Sequence, residues 1–237
     1  MLYVIPTPIG NTEDITLRAL RLFREINYII TENTATTKKL LIYDISYQDK
    51  KFIKFTSHDH KHIHTIVSQL ENQDGILVSE AGTPLSDPGK MLIICQRANI
   101  QTTTLPATAL IPAVINAFHT IHRTFAGFLP LKKGREIAIK RMIMSDHATF
   151  FYESVHRVPK LIEQLEKMNF MGMISVSREV SKHFEQCVTD DLKNIKEKIR
   201  NNIIPMKGEF VIGIYPYNND EKVQIDTLNS FNETTAS

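Results

Sequence analysis

The chain has 237 residues, 42% hydrophobic and 23% charged, with a formal net charge of +2. It is long enough for one large domain or two small ones, and so small a net charge leaves any nucleic-acid binding to local basic patches. No apolar run approaches the roughly 20 residues of a bilayer-spanning helix, and the N-terminus lacks an export signal's charged region and cleavage pattern. Cys95 and Cys187 have neither Cys-x-x-Cys nor Cys/His spacing. That argues against a disulfide framework or a zinc site and fits a reducing compartment, so the cytoplasm is expected.

In chain order, LYVIPTP (2–8) predicts a strand entering a glycine turn. Asp14 then precedes ITLRALRLFREI, whose apolar residues recur at helical spacing. Strands follow at 27–31, 51–56, 76–78 and 101–105, alternating with helices at 34–43, 64–70, 88–98 and 107–117. This alternation predicts a mainly parallel sheet in an N-terminal α/β domain, residues 1–118. The second half reads differently. TFAGFLP, ATFFYES, MISVSRE and EFVIGIYP predict four strands, with helices at 134–144, 158–168 and 190–200. A mixed sheet in a C-terminal α/β domain, residues 119–217, is expected, and the polar tail 218–237 is expected to be disordered.

Several short segments carry possible chemistry. Gly10, Gly82 and Gly89 sit in Gly/Pro-rich loops after apolar runs, where glycine lets backbone amides and carbonyls approach a ligand closely. Taken singly, each also reads as a tight βα turn. None belongs to a G-x-G-x-x-G or G-x-x-x-x-G-K-S segment, which argues against a dinucleotide or an ATP site. Lys132, Lys133, Arg135, Lys140 and Arg141 form a basic stretch suited to phosphates, or a solvated loop and helix face. His58, His60, His62 and His64 alternate in SHDHKHIH. They lie where a strand hands over to a helix, so neither geometry aligns them throughout, and no metal is expected.

In order along the chain stand IPTPIGN (5–11), SEAGTPLSDPG (79–89), GFLPLKKGR (127–135), FYESVHR (151–157), SREVSKHFE (177–185) and KGEF (207–210). Together they resemble the tetrapyrrole-methylase superfamily. Within it the likeness is to S-adenosylmethionine-dependent methyltransferases that modify a cytidine ribose 2′-hydroxyl of 16S ribosomal RNA in the small ribosomal subunit, and it runs from about residue 2 to 215. The resemblance implies a two-domain tetrapyrrole-methylase fold with the cofactor S-adenosyl-L-methionine in the interdomain cleft. Its contacts would come from Pro8, Gly10, Glu80, Ala81, Gly82, Thr83, Pro84, Ser86, Asp87, Pro106, Ala107 and Thr108. Glu32, Glu153, His156 and Lys207 are the candidates to take or screen the hydroxyl proton. Lys132, Lys133, Arg135, Arg157 and Arg178 are the candidates for RNA contact. The expected partners are 16S ribosomal RNA or the small subunit and a second copy in a homodimer, with no membrane.

The chain departs from the family pattern at several points. It is one residue shorter near Pro84, Pro106 and Ala117. Each gap is compatible with a missing glycine, as a reassigned codon dropped in translation would leave. Asn33 and Ala35 replace an acid and an arginine. The alternatives are a small-molecule, tetrapyrrole-type methyltransferase and a non-catalytic RNA- or ribosome-binding relative.

Overall fold

A computed structural model describes residues 1–41, 45–56, 62–84, 89–106, 113–114, 117 and 122–217. The chain divides into two compact units, residues 1–109 and 110–237.

The first unit is built on five parallel strands: β1 (Leu2–Val4), β2 (Tyr28–Thr31), β3 (Lys51–Lys54), β4 (Gly75–Val78) and β5 (Thr102–Thr104), in the order β3-β2-β4-β1-β5. Every residue of β2 and β4 is buried, as befits central strands of a sheet covered on both faces. Alternate side chains feed two cores. Ile29, Ile76 and Val78 join Ala19, Leu22 and Phe23 of α1 (Leu17–Glu25) in one cluster. Ile30 and Leu77 join Ile66 and Leu70 of α3 (Ile63–Asn72), and Met91 and Cys95 of α4 (Gly89–Arg97), in the other. Burial pushes the Cys95 thiol up to about 11.

The sequence placed Asp14 before the first helix. Instead, residues Thr12–Asp14 form a 3-10 turn, and Thr16 caps α1 by accepting a hydrogen bond from the Ala19 amide at 3.1 Å. The short α2 (Thr34–Leu40) is capped by Asn33, whose Oδ1 accepts from the amides of Ala35 at 3.0 Å and Thr36 at 3.4 Å.

The second unit holds a mixed sheet of β6 (Arg123–Phe128), β7 (Ala148–Glu153), β8 (Gly172–Arg178), β9 (Gln186–Asp191) and β10 (Phe210–Pro216), ordered β6-β7-β10-β8-β9. Only the β6–β7 pair is parallel. Its helices α5 (Arg135–Ile143), α6 (Val158–Lys167) and α7 (Leu192–Arg200) pack Ile139, Leu161, Leu165 and Ile195 against Phe151, Ile174, Ile212 and Ile214.

β9 is a fifth strand where the sequence predicted four. It is QCVTDD, polar and only half buried along its length, and it pairs with β8 alone at the sheet edge. An edge strand has little apolar pattern to betray it. Of the helix expected at 107–117 only Ala113, Val114 and Ala117 are described, and the tail expected at 218–237 lies outside the described residues. Among the described residues no helix is long and apolar enough to cross a membrane.

Candidate active site

From β1 the chain continues to β2 on one side of the sheet, and from β4 to β5 on the other. β1 and β4 are hydrogen-bonded neighbours, so they mark the place where the winding reverses, the position at which open α/β sheets take ligands beyond their strands' carboxyl ends. Here the loops leaving β1 and β4 are tied together. Thr7 N–H donates to Gly82 O at 3.0 Å and Gly82 N–H to Thr7 O at 2.9 Å. The Thr7 hydroxyl donates to Ser79 O at 3.3 Å, and the buried Ser79 hydroxyl donates to Gly82 O at 3.0 Å and Ala81 O at 3.2 Å. Gly82 holds φ +72, a left-handed conformation that a side chain resists.

Beside this stitch, the end of β2 delivers Glu32 and Asn33. Glu32 Oε2 accepts from the Glu80 amide at 3.1 Å, and the Asn33 side-chain amide donates to Glu80 Oε1 at 2.7 Å. Two carboxylates thus stand at the rim of the loop, Glu32 half-buried and Glu80 exposed. Pro106 lies just beyond β5 on the same edge of the sheet and is exposed.

In the second unit a buried carboxylate organises the FYESVHR and GFLPLKKGR segments. The Glu153 side chain is 0% exposed; its Oε2 accepts from Arg135 at 2.7 Å, and its Oε1 accepts from Arg157 Nε at 2.5 Å and from the Ser154 amide at 2.8 Å. Arg135 also donates to Gln164 Oε1 at 3.1 Å and to Pro130 O at 3.5 Å, tying the loop after β6 to α6. Arg178 is buried too, donating to Lys207 O from Nε at 3.1 Å and from a terminal nitrogen at 3.0 Å, and to Phe184 O at 3.1 Å.

Glu179 takes up the same task one residue on. Its Oε1 accepts from the Glu209 amide at 2.9 Å and from Lys182 at 3.1 Å, while Lys182 also bonds Glu209 Oε2 at 3.0 Å. The Glu209 backbone N–H holds the Glu179 carboxyl below its ordinary range, helped by Lys182. Gly208 permits this closeness, since a Cβ there would stand 2.4 Å from Glu179 Oε1 and its φ is +96.

The family model for Tetrapyrrole (Corrin/Porphyrin) Methylases matches residues 1–196 of this chain. The chain is a tetrapyrrole methylase family member. Among its relatives, the Ribosomal RNA small subunit methyltransferase I of Haemophilus influenzae is 36% identical over 222 residues, covering 90% of this chain and 77% of that protein. The protein of the same name from Hydrogenobaculum is 34% identical, covering 89% of this chain and 94% of its own. Two solved structures share the fold at low identity. A diphthine synthase matches with TM-score 0.63 at 12% identity, covering 91% of this chain and 89% of its own. The Thermus thermophilus uroporphyrin-III C-methyl transferase, complexed with S-adenyl homocysteine, matches with TM-score 0.61 at 11% identity, covering 90% and 96%.

In this methylase the expected site residues fall into distinct groups. Thr83 and Pro84 continue the Glu80–Gly82 loop, with Pro84 buried, while Pro8 and Gly10 follow β1 and Gly10 is exposed. Ser86, Asp87, Ala107 and Thr108 lie outside the described residues, as do His58 and His60. His156, Lys207, Lys132 and Lys133 are exposed or half-buried at the surface.

Three of the expected site residues are engaged inside the second unit. Arg135 and Arg178 are not surface cations available to phosphate but buried donors to protein oxygens, and both Glu153 oxygens are already engaged in a site closed to solvent. One signal for Arg135 was available: it shares a helical stripe with Ile139 and Met142, the buried face of α5.

Sequence reasoning also missed Thr7, Ser79 and Asn33 as builders of the site. Asn33, noted only as a replaced acid, caps α2 and supports Glu80. Its place at the end of β2, directly before a helical run, is a capping signal.

Proposed function

We propose that this chain is an S-adenosylmethionine-dependent methyltransferase acting in the cytoplasm on 16S ribosomal RNA in the small ribosomal subunit, at a cytidine ribose 2′-hydroxyl. The observation that carries the reading is the pair of tied loops at the β1–β4 reversal, in a chain whose relatives over most of its length are named small-subunit ribosomal RNA methyltransferases. The chemistry of these loops suits the cofactor. Ala81 is small and exposed beside the buried Gly82 turn, and two carboxylates, Glu32 and Glu80, complement a ligand bearing sulfonium and ammonium charges. Bound there, S-adenosylmethionine supplies a methyl carbon made electrophilic by its sulfonium.

The protein's task is then alignment and proton handling. Glu80–Pro84 and Pro106 would hold the cofactor's polar ends, with the Thr7–Gly82 stitch keeping that cradle formed. Glu32, His156 and Lys207 have side chains that could take or screen the proton that a ribose hydroxyl would give up on methylation. Glu153 orients the loops that carry His156 and Lys132 rather than meeting substrate.

The test is calorimetric titration with S-adenosylmethionine of this chain and of a version with glycine restored at the three short loops. It is followed by methyl transfer to small ribosomal subunits and mapping of alkali-resistant linkages. Binding and a new alkali-resistant cytidine linkage are expected. Binding by neither version would favour a non-catalytic RNA-binding protein, and methylation of a tetrapyrrole but not of subunits would favour a small-molecule enzyme.

A further inference from the structure

The three described helices of the second unit contribute to one core with Phe151, on one face of the sheet. The opposite face, at its β6–β7 margin, is aromatic. Phe125 pairs in register with Phe150, and Phe128 with Tyr152, so these four side chains share that face. Between Phe125 and Phe128 the register shifts by one residue, and Gly127 adopts φ +67. Without that bulge Gly127 would stand opposite Tyr152; with it, Phe128 is turned onto the aromatic face.

Tyr152 braces both neighbours, with ring centroids 5.1 Å from Phe125 and 5.2 Å from Phe128. Phe128 is nevertheless 63% exposed and Leu131 is 72% exposed. Burial, with help from the Glu209 charge, raises the Tyr152 phenol above its ordinary range, so it stays neutral.

The surroundings are cationic. From Arg123 to Arg135 the chain contains no Asp or Glu, and Lys132 and Lys133 lie exposed directly after the aromatic strand. Glu209, the acid whose charge Tyr152 feels, is paired with Lys182 at 3.0 Å. An exposed aromatic ring held by other rings, with cations one loop away, matches an unstacked base with its phosphates. A greasy protein partner would leave the lysines without counterpart.

We propose that Phe128, displayed by the β6 bulge and braced by Tyr152, is a stacking platform for an unpaired base of the RNA substrate, with Lys132 and Lys133 on the neighbouring phosphates. The inference rests on the RNA reading above and adds to it a way of holding the strand.

The probe is a short fluorescent single-stranded RNA containing cytidine, titrated without cofactor against wild type, Phe128→Leu and Phe128→Trp. Stacking predicts about tenfold weaker binding for Phe128→Leu and near-wild-type binding for Phe128→Trp. The S-adenosylmethionine affinity and the sedimentation mass should be unchanged in both. Equal RNA affinity of Phe128→Leu and wild type would overturn the platform alone. A loss of cofactor affinity would assign the ring to the cofactor's adenine, and a change in mass would assign it to a second copy, either of which overturns it. Wild type that binds and methylates no RNA would sink the RNA reading and the platform together. Because Phe128 is largely exposed, unfolding midpoints should match across the three proteins, and Phe128→Trp serves as the folded control.

Discussion

The two units prepare their loops by opposite means. In the first, loops at the sheet edge are set by backbone pairing and small side chains: Thr7, Ser79 and Gly82 lock together without a full charge among them. In the second, the corresponding work falls to buried ions, with Glu153 between Arg135 and Arg157, and Arg178 on backbone carbonyls. The charge of the first unit's loops stands at the rim, where Glu32 accepts from the Glu80 amide and Glu80 from the Asn33 side chain. A scaffold of guanidinium groups paired inside the unit spends its charge internally, while Lys132 and Lys133 remain exposed. The difference matters for stability, because a buried ion left without its partner is far more costly than a lost neutral hydrogen bond.

The largest effect should come from breaking the ionic scaffold. Glu153→Gln leaves the buried Arg135 and the partly exposed Arg157 facing a neutral amide and should cost about 3–5 kcal/mol, read as a lower urea midpoint. A loss under about 1 kcal/mol would mean that the pair behaves like a surface bridge and that the contrast between the units is false. Next, Gly82→Ala forces a side chain into the left-handed region at about 1–2 kcal/mol. It should weaken S-adenosylmethionine binding about tenfold by calorimetry while leaving RNA affinity unchanged; a fall in both would erase the division of labour. Lys132→Ala with Lys133→Ala should weaken RNA binding severalfold, and the slope of log affinity against log salt should fall by roughly one for each phosphate that is no longer neutralised. An unchanged slope would remove these lysines from the interface.

The smallest effect concerns pH. The folded Glu179 carboxyl titrates below its ordinary value of 4.5, chiefly through the Glu209 amide, so its contribution is fully present above that value and disappears as pH falls through the lower folded one. Glu179→Gln should therefore lower stability at neutral pH, and its difference from wild type should shrink as pH falls through that window, flattening the acid limb. Identical acid limbs for the two proteins would show that the amide bond leaves this titration unaltered.

Much of this was legible in the residues. Alternating strand and helix patterns up to Thr104 announced a parallel sheet because each central strand is buried on both faces and reads as a short apolar run, as Ile76–Val78 does. β9 escaped because an edge strand of Gln, Thr and Asp needs only β8 to hold it. The ordered loop words pointed to the family, and the place of the tied loops follows from topology once β1 and β4 are neighbours, a pairing across more than seventy residues that no local pattern encodes. The burial of Arg135 and Arg178 was illegible in composition because a long cation is read as exposed unless its partner is known. For Arg135 that partner, Glu153, sits across a helix-to-strand connection.

The Thr7–Gly82 stitch ties the floor of the cradle to the sheet. These two amides are bonded to each other's carbonyls, so neither can exchange with solvent unless the loops leaving β1 and β4 part. Hydrogen exchange at Gly82 would then report the opening of the cradle itself. Heat that melts the first unit and loss of its binding capacity should consequently arrive as one event.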